Sequence, residues 1–282
     1  MSRALMRLAA RLPLPVLHAA GVFLGWLIYL GSATYRRHLR ANLEQAGFGD
    51  ARTRRAAVAE AGKLLAELPA LWFRPHAEVA ALVRSLEGDT AVWTRARGAE
   101  PIVFLSPHLG CFEVTSLFAA TRMPITVLYR PPKLAWLDPL MREGRARPQV
   151  RLARADHSGV RELLAALRRG EAVGFLPDQV PGVGEGEWAE HFGRSAYTMT
   201  LAARLAARPG YACYLAYARR LPRGGGYALV TRALPPALAG ESAVRRINRA
   251  LEALIRECPE QYLWGYNRYK TPQGVSVPGT PA

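Results

Sequence analysis

His108 and Glu113 stand five residues apart, just beyond a short apolar run, Ile102-Val103-Phe104-Leu105. A histidine whose second nitrogen is held by a carboxylate is a general base suited to neutral pH. On one ordinary helix, positions five apart lie about 140° from each other, at ~100° per residue. The two side chains therefore meet only if His108 sits in a turn before a helix and Glu113 in its first turn. Pro107 favours a break there, because proline disfavours helix for the residue before it. The start of that helix would also offer backbone N–H groups to a developing oxyanion. A structural reading competes: a buried histidine capping the helix, with Glu113 as partner of the helix dipole. Spacing alone does not choose between the two.

No protein nucleophile competes with the histidine. Ser106 lies close by, but no Gly-x-Ser-x-Gly elbow surrounds it. Cys111 is flanked by apolar residues and reads as core. A base without a nucleophile suits direct transfer, in which a substrate hydroxyl gives its proton to His108 and attacks an activated acyl group. Arg130 precedes Pro131-Pro132, which fixes its position. It reads as a contact to a phosphate or to transition-state charge, or as one more surface arginine. Asp178 and Gln179 read as groups that orient Arg130 or bind substrate, or as a plain loop turn. The glycines at 182, 184 and 186 do not form a phosphate loop, since no Gly-Lys-Ser/Thr follows; they suit a mobile lid.

The elements that must position these residues follow from the hydrophobic pattern. The 34–73 and 74–98 stretches read as helices and a connector. From residue 101 strands and helices alternate. Strands are expected at 102–105, 125–129, 150–152, 172–176, 211–216 and 227–231. Helices are expected at 110–121, 134–147, 158–169, 198–207 and 242–258, with a loop at 180–197. This alternation implies an α/β fold with a mostly parallel central sheet flanked by helices. Ligands in such sheets bind at the carboxyl ends of strands. Three expected strands end in polar groups, at His108, Arg130 and Asp178-Gln179, so all three should converge on one side of the sheet.

Residues 14–33 carry no formal charge, although they include His18, Pro15 and three glycines. Twenty helical residues span about 30 Å, roughly a hydrocarbon core. The segment is read as a membrane-anchoring or interfacial helix, with a buried core helix and a signal peptide as alternatives. The expected organisation is an N-terminal anchor over 1–35, a helical part over 36–98, an α/β core over 99–270 and a disordered Pro/Gly/Ser/Thr-rich tail over 271–282. The net charge is +16 from 38 basic and 22 acidic residues, and only Lys63, Lys133 and Lys270 are lysines. Such a surplus points to an anionic partner. Three separated cysteines without Cys-x-x-Cys or zinc spacing argue against a disulfide scaffold or a metal site.

Taken in order, His108-x4-Glu113, Tyr129-Arg130-Pro131, Pro177-Asp178-Gln179, His191-Phe192-Gly193 and Pro259-Glu260-Gln261-Tyr262-Leu263-Trp264 resemble a known family. The chain looks like the lipid A biosynthesis lauroyl/myristoyl acyltransferases of the lysophospholipid acyltransferase superfamily. The resemblance implies a glycerol-3-phosphate acyltransferase-like fold at the bacterial inner membrane, with the site facing the cytoplasm. It implies an acyl carrier protein thioester as donor, a phosphorylated glycolipid as acceptor, and no cofactor. His108 matches the family's catalytic histidine and Glu113 its acidic partner. Arg130, Asp178 and Gln179 match substrate-contacting blocks. Cys111-Phe112 replaces the usual Asn-Trp, and His191-Phe192-Gly193 the usual Phe-Phe-Gly. Two other readings remain. One is an acyltransferase acting on a glycerophospholipid, an ornithine lipid or a phosphatidylinositol mannoside. The other is a non-enzymatic basic protein on membrane or nucleic acid, which the scattered arginines and lack of any nucleic-acid motif disfavour.

Overall fold

The computed structural model describes residues 3–95, 100–132 and 134–277. Helices α1 (Arg3–Ala10), α2 (Leu14–Gly31), α3 (Ala33–Gln45) and α4 (Ala51–Phe73) open the chain. Asp50 starts α4 in the way the sequence dictates: its Oδ1 accepts the N–H groups of Arg52 and Thr53, each at 2.9 Å. Then come α5 (His76–Ala80), β1 (Val83–Gly88), β2 (Ile102–Leu105), α6 (Phe112–Ala119), β3 (Ile125–Tyr129), α7 (Leu137–Arg145), β4 (Val150–Arg154), α8 (His157–Arg168) and β5 (Ala172–Phe175). The chain continues with β6 (Gly186–His191), β7 (Arg194–Met199), α9 (Thr200–Ala206), β8 (Ala212–Arg220), β9 (Tyr227–Ala233) and α10 (Ala243–Glu257).

Seven strands form one sheet in the order β1-β9-β8-β2-β5-β3-β4, parallel at every pairing except β8 with β9. The central strand β2 is buried at all four residues, as a strand covered on both faces requires. Its side chains alternate between two cores. Val103 and Leu105 join Leu163 and Leu167 of α8 and Ile247 and Leu251 of α10. Ile102 and Phe104 join Leu71 and Trp72 of α4 and Val114 and Leu117 of α6.

Helix α2 has two unlike faces. Leu14, Leu17, His18, Gly21, Gly25 and Tyr29 are buried, a helical period that faces inward. Val16, Phe23, Leu27 and Leu30 are exposed on the other side. By length and composition α2 is able to cross a membrane, and only 33% of the segment is buried. That is far from the burial of a core helix, one of the alternatives above. The inner face meets α4 through glycines: a Cβ on Gly62 would stand 2.0 Å from the Gly21 carbonyl oxygen and 2.4 Å from the Gly25 nitrogen.

The structure departs from the expected elements in three places. The 74–98 stretch adds an edge strand, β1, parallel to β9. The 180–197 loop contains the β6–β7 hairpin, closed by Phe192 (φ 48°) and Gly193 (φ 74°). Two positive φ values suit the primed two-residue turns that join hairpin strands, and a phenylalanine at the first of them is not the residue that signals such a turn. The expected helix at 198–207 starts at Thr200, after β7 has ended. Of the expected disordered tail, 278–282 lie outside the described residues, and the Ser276 carbonyl accepts the Trp188 indole N–H at 2.8 Å.

The glycine contact yields a signed test. Replacing a mid-helix glycine ordinarily raises helix stability, so loss of stability isolates the helix–helix contact. Gly62→Val should lower the thermal unfolding midpoint in detergent micelles, with an overpacking cost of about 1–3 kcal/mol. An unchanged or raised midpoint would refute the close approach of α2 and α4.

Candidate active site

Strand register builds the centre of the site. β2 and β5 lie side by side in parallel, with Leu105 opposite Phe175. Three residues beyond each stand His108 and Asp178. Asp178 Oδ2 accepts the His108 backbone N–H at 2.8 Å, and Oδ1 pairs with the ring Nδ1 at 2.7 Å. Burial alone would raise the Asp178 carboxyl, but the His108 charge and hydrogen bonds outweigh it and hold the group below the usual carboxylate range. A carboxylate only accepts, so Nδ1 carries the proton of that bond. The Gln179 amide nitrogen, which only donates, stands 3.1 Å from the ring Nε2, which accepts from it through its lone pair. The Phe112 ring packs edge-on against the imidazole, with centroids 4.9 Å apart.

His108 lies in the turn before α6 and Glu113 in its first turn, as expected. The expected contact between them does not form among the described residues: the partner that orients His108 is Asp178, not Glu113. Glu113 faces the buried side of α6, where Arg145 of α7 reaches it. Arg145 Nε donates to Glu113 Oε2 at 2.9 Å, and its Nη2 donates to Oε1. The Trp72 indole N–H stands 3.4 Å from Oε2. Burial would lower the Arg145 guanidinium, yet the Glu113 charge raises it above its ordinary value.

His108, Glu113, Arg130, Arg145 and Gln179 line one cavity of about 390 Å³ at the carboxyl end of the sheet. The three polar strand ends therefore converge. Asp178 serves His108 rather than Arg130, and Arg130 is exposed, with no ion pair among the described residues. Cys111 is buried, and burial pushes its thiol well above the ordinary range, so it is no nucleophile. Among the described residues no three His, Cys, Asp or Glu side chains gather as a metal site.

A buried ionic cluster braces the turn that carries His108, and sequence reasoning missed it. Arg220, at the end of β8, donates through Nε to both oxygens of Glu67 at 3.1 Å and through Nη2 to Oε1 at 2.5 Å. The same Nη2 donates to the Gly110 carbonyl at 3.1 Å. Glu67 also meets His18 of α2 at 3.1 Å and accepts the Tyr227 hydroxyl at 2.8 Å. Gln261 brackets the turn from the other side: its backbone carbonyl accepts the Gly110 N–H at 3.0 Å, and its side chain bonds both backbone groups of Arg220. Gly110 has φ 58°, and a Cβ there would stand 2.1 Å from the Ala218 carbonyl oxygen, so the turn requires glycine. Nothing in spacing marks Arg145 or Arg220 among 35 arginines.

A parallel α/β sheet with a histidine–carboxylate pair at its carboxyl edge, beside an apolar helix, defines a class of site rather than one enzyme. Comparison narrows it. The sequence profile of the bacterial lipid A biosynthesis acyltransferases matches residues 1–271. The chain is 28% identical to a lipid A biosynthesis lauroyltransferase of Escherichia coli (strain K12), over 95% of this chain and 90% of that protein. It is 27% identical to a lipid A biosynthesis palmitoleoyltransferase of the same strain, over 76% and 71% of the two chains. A lipid A biosynthesis acyltransferase of Haemophilus influenzae is 24% identical over 58% of this chain and 52% of its own. The protein belongs to the bacterial lipid A biosynthesis acyltransferase family and is an acyltransferase.

The cluster beside the site is testable by pH. Burial alone would raise the Glu67 carboxyl, but Arg220, with His18, brings it from 4.5 to about 2. A depressed folded pKa contributes stability above the unfolded value that is lost as pH falls through the folded one. The contribution is therefore complete above 4.5 and fades as pH falls toward 2. Glu67→Gln strips the buried Arg220 of its nearer charge partner, leaving only Glu60 among the described residues, at 3.4 Å, and should cost about 3 kcal/mol by urea unfolding at neutral pH. The variant should also lose less further stability than wild type across the acid window. Equal slopes in the two proteins would overturn the assignment.

Proposed function

We propose that the protein moves a fatty acyl chain from an acyl carrier protein thioester to a hydroxyl on an acyl chain of a lipid A precursor, a secondary acylation. The observation that carries the reading is His108 Nε2. It is an imidazole lone pair with its proton side fixed by a buried carboxylate, beside a cavity lined by Arg130 and the Glu113–Arg145 pair. The acceptor hydroxyl displaces the Gln179 amide and gives its proton to Nε2. Its oxygen attacks the thioester carbonyl, forming the C–O bond. The tetrahedral intermediate collapses with cleavage of the C–S bond, and the departing thiolate takes the proton from the imidazolium. Asp178 stabilises that imidazolium throughout. A thioester is already activated, so the step balances without a cofactor.

Glu113 belongs to the catalytic set as the anchor of Arg145, which it holds at the cavity wall. Arg130 contacts anionic substrate, a phosphate being the natural partner of an exposed guanidinium. The surplus charge of +16 suits both a phosphorylated glycolipid and an acidic carrier protein. The one-sided apolar helix α2 supports attachment to a membrane. We place the enzyme at the inner membrane with the site facing the cytoplasm, where carrier-bound acyl chains are made.

His108→Ala should lose transfer rate by on the order of 10²–10⁴, the scale of a general base. Asp178→Asn should fall in the same range, because the carboxamide cannot stabilise the imidazolium. The assay incubates membranes holding the full chain with acyl carrier protein thioester and a tetra-acylated lipid A precursor, and reads the product heavier by one acyl chain. Wild-type rates in His108→Ala would remove the proposed base.

A further inference from the structure

His108 lines two cavities, and the proposed reaction uses one. The second, of about 300 Å³, also touches His108, Asp178 and Gln179. Its walls come from Gly25 and Ile28 of α2, Ala61, Leu64 and Leu65 of α4, and the 262–266 segment after α10. Among the described residues Asp178 is the only carboxylate on these walls and no Lys or Arg joins it, and both of its oxygens are taken by His108. The first cavity, by contrast, is lined by Glu113, Arg130 and Arg145.

We propose that this second cavity binds the acyl chain of the lipid acceptor, the chain that carries the attacked hydroxyl. The proposal rests on the acyl-transfer reading above. Three observations select this occupant. First, the cavity lies behind α2, whose outer face exposes Val16, Phe23, Leu27 and Leu30. A chain already in a bilayer reaches the cavity past this helix without crossing water, whereas a carrier-bound donor arrives from solution. Second, a water-sized group takes about 30 Å³ in a condensed phase, so about 300 Å³ accommodates on the order of ten such groups, the scale of a fatty acyl chain. Third, Gln179 lines both cavities and its amide occupies His108 Nε2. A chain seated here with its hydroxyl beside His108 puts that hydroxyl where the amide now stands, and the donor thioester faces it from the first cavity.

Ala61→Phe fills the second cavity from its α4 wall. Each methylene kept out of an apolar site costs about fourfold in binding, so the KM for the lipid acceptor should rise about tenfold or more. The kcat and the preference among donor chain lengths should stay near wild type. A shifted donor preference with unchanged acceptor KM would overturn the proposal by giving the cavity to the donor; no change in either would also overturn it. A second measurement uses the wild-type full chain: an acceptor analogue bearing a diazirine at the end of the relevant acyl chain is photolysed in micelles. Label on residues 61–65 or 262–266 supports the proposal, and label confined to β2 and β3 overturns it. Crosslinking needs no turnover. An enzyme that transfers no acyl group yet labels at 61–65 would sink the acyl-transfer reading, while active enzyme labelled elsewhere would sink only the cavity assignment.

Discussion

The site depends on one carboxylate binding one residue twice. Asp178 holds the His108 backbone with one oxygen and the imidazole with the other. The first bond fixes where the residue is, and the second fixes which way its ring points and which nitrogen carries the proton. Both follow from β2 and β5 being parallel neighbours in register. A slip by one residue would turn every side chain of the strand to the opposite face and take His108 out of reach. The continuous apolar run of β2, buried on both faces, is thus part of what builds the site, because burial sets the register that the pair needs.

The turn that carries His108 is held from behind at considerable cost. Burying Glu67 and Arg220 together removes two charges from water, and such pairs seldom stabilise a fold relative to apolar replacements. What this pair provides is location. Arg220 reaches the Gly110 carbonyl, and Gln261 takes the Gly110 N–H, so both backbone groups of the residue in the left-handed turn are fixed. Through His18 the same cluster reaches α2. The apolar helix and the turn that carries His108 are therefore joined by three bonds, His18 to Glu67, Glu67 to Arg220 and Arg220 to the Gly110 carbonyl, which ties the site to the element expected to meet the bilayer.

Much of this was legible in the sequence, and the limits have physical causes. The strand–helix alternation revealed the parallel sheet, and polar residues after three apolar runs revealed its working edge. The residue that pairs with His108 was not legible, because strand order is a long-range property and His108-x4-Glu113 offered a local candidate. Local spacing predicted correctly that His108 precedes α6 and Glu113 opens it. It could not see Arg145, 32 positions beyond Glu113, claiming that carboxylate. The β6–β7 hairpin was hidden for a different reason: its turn uses Phe192 at positive φ, a position for which glycine, asparagine or aspartate is the usual signal.

The charges around the site balance in pairs, and this bears on the chemistry. Asp178 answers His108, and Glu113 answers Arg145, which leaves Arg130 the cation at this edge without an ion pair among the described residues. The proposed transfer from a thioester to an alcohol begins and ends without net charge, so a site with a large fixed field would favour one side of the proton transfer. Paired charges avoid that bias. In the proposed transfer the imidazolium formed at His108 would meet a carboxylate already in place, with little reorganisation. The overall positive surplus is consequently free to act at longer range, attracting anionic partners without disturbing the local balance at His108.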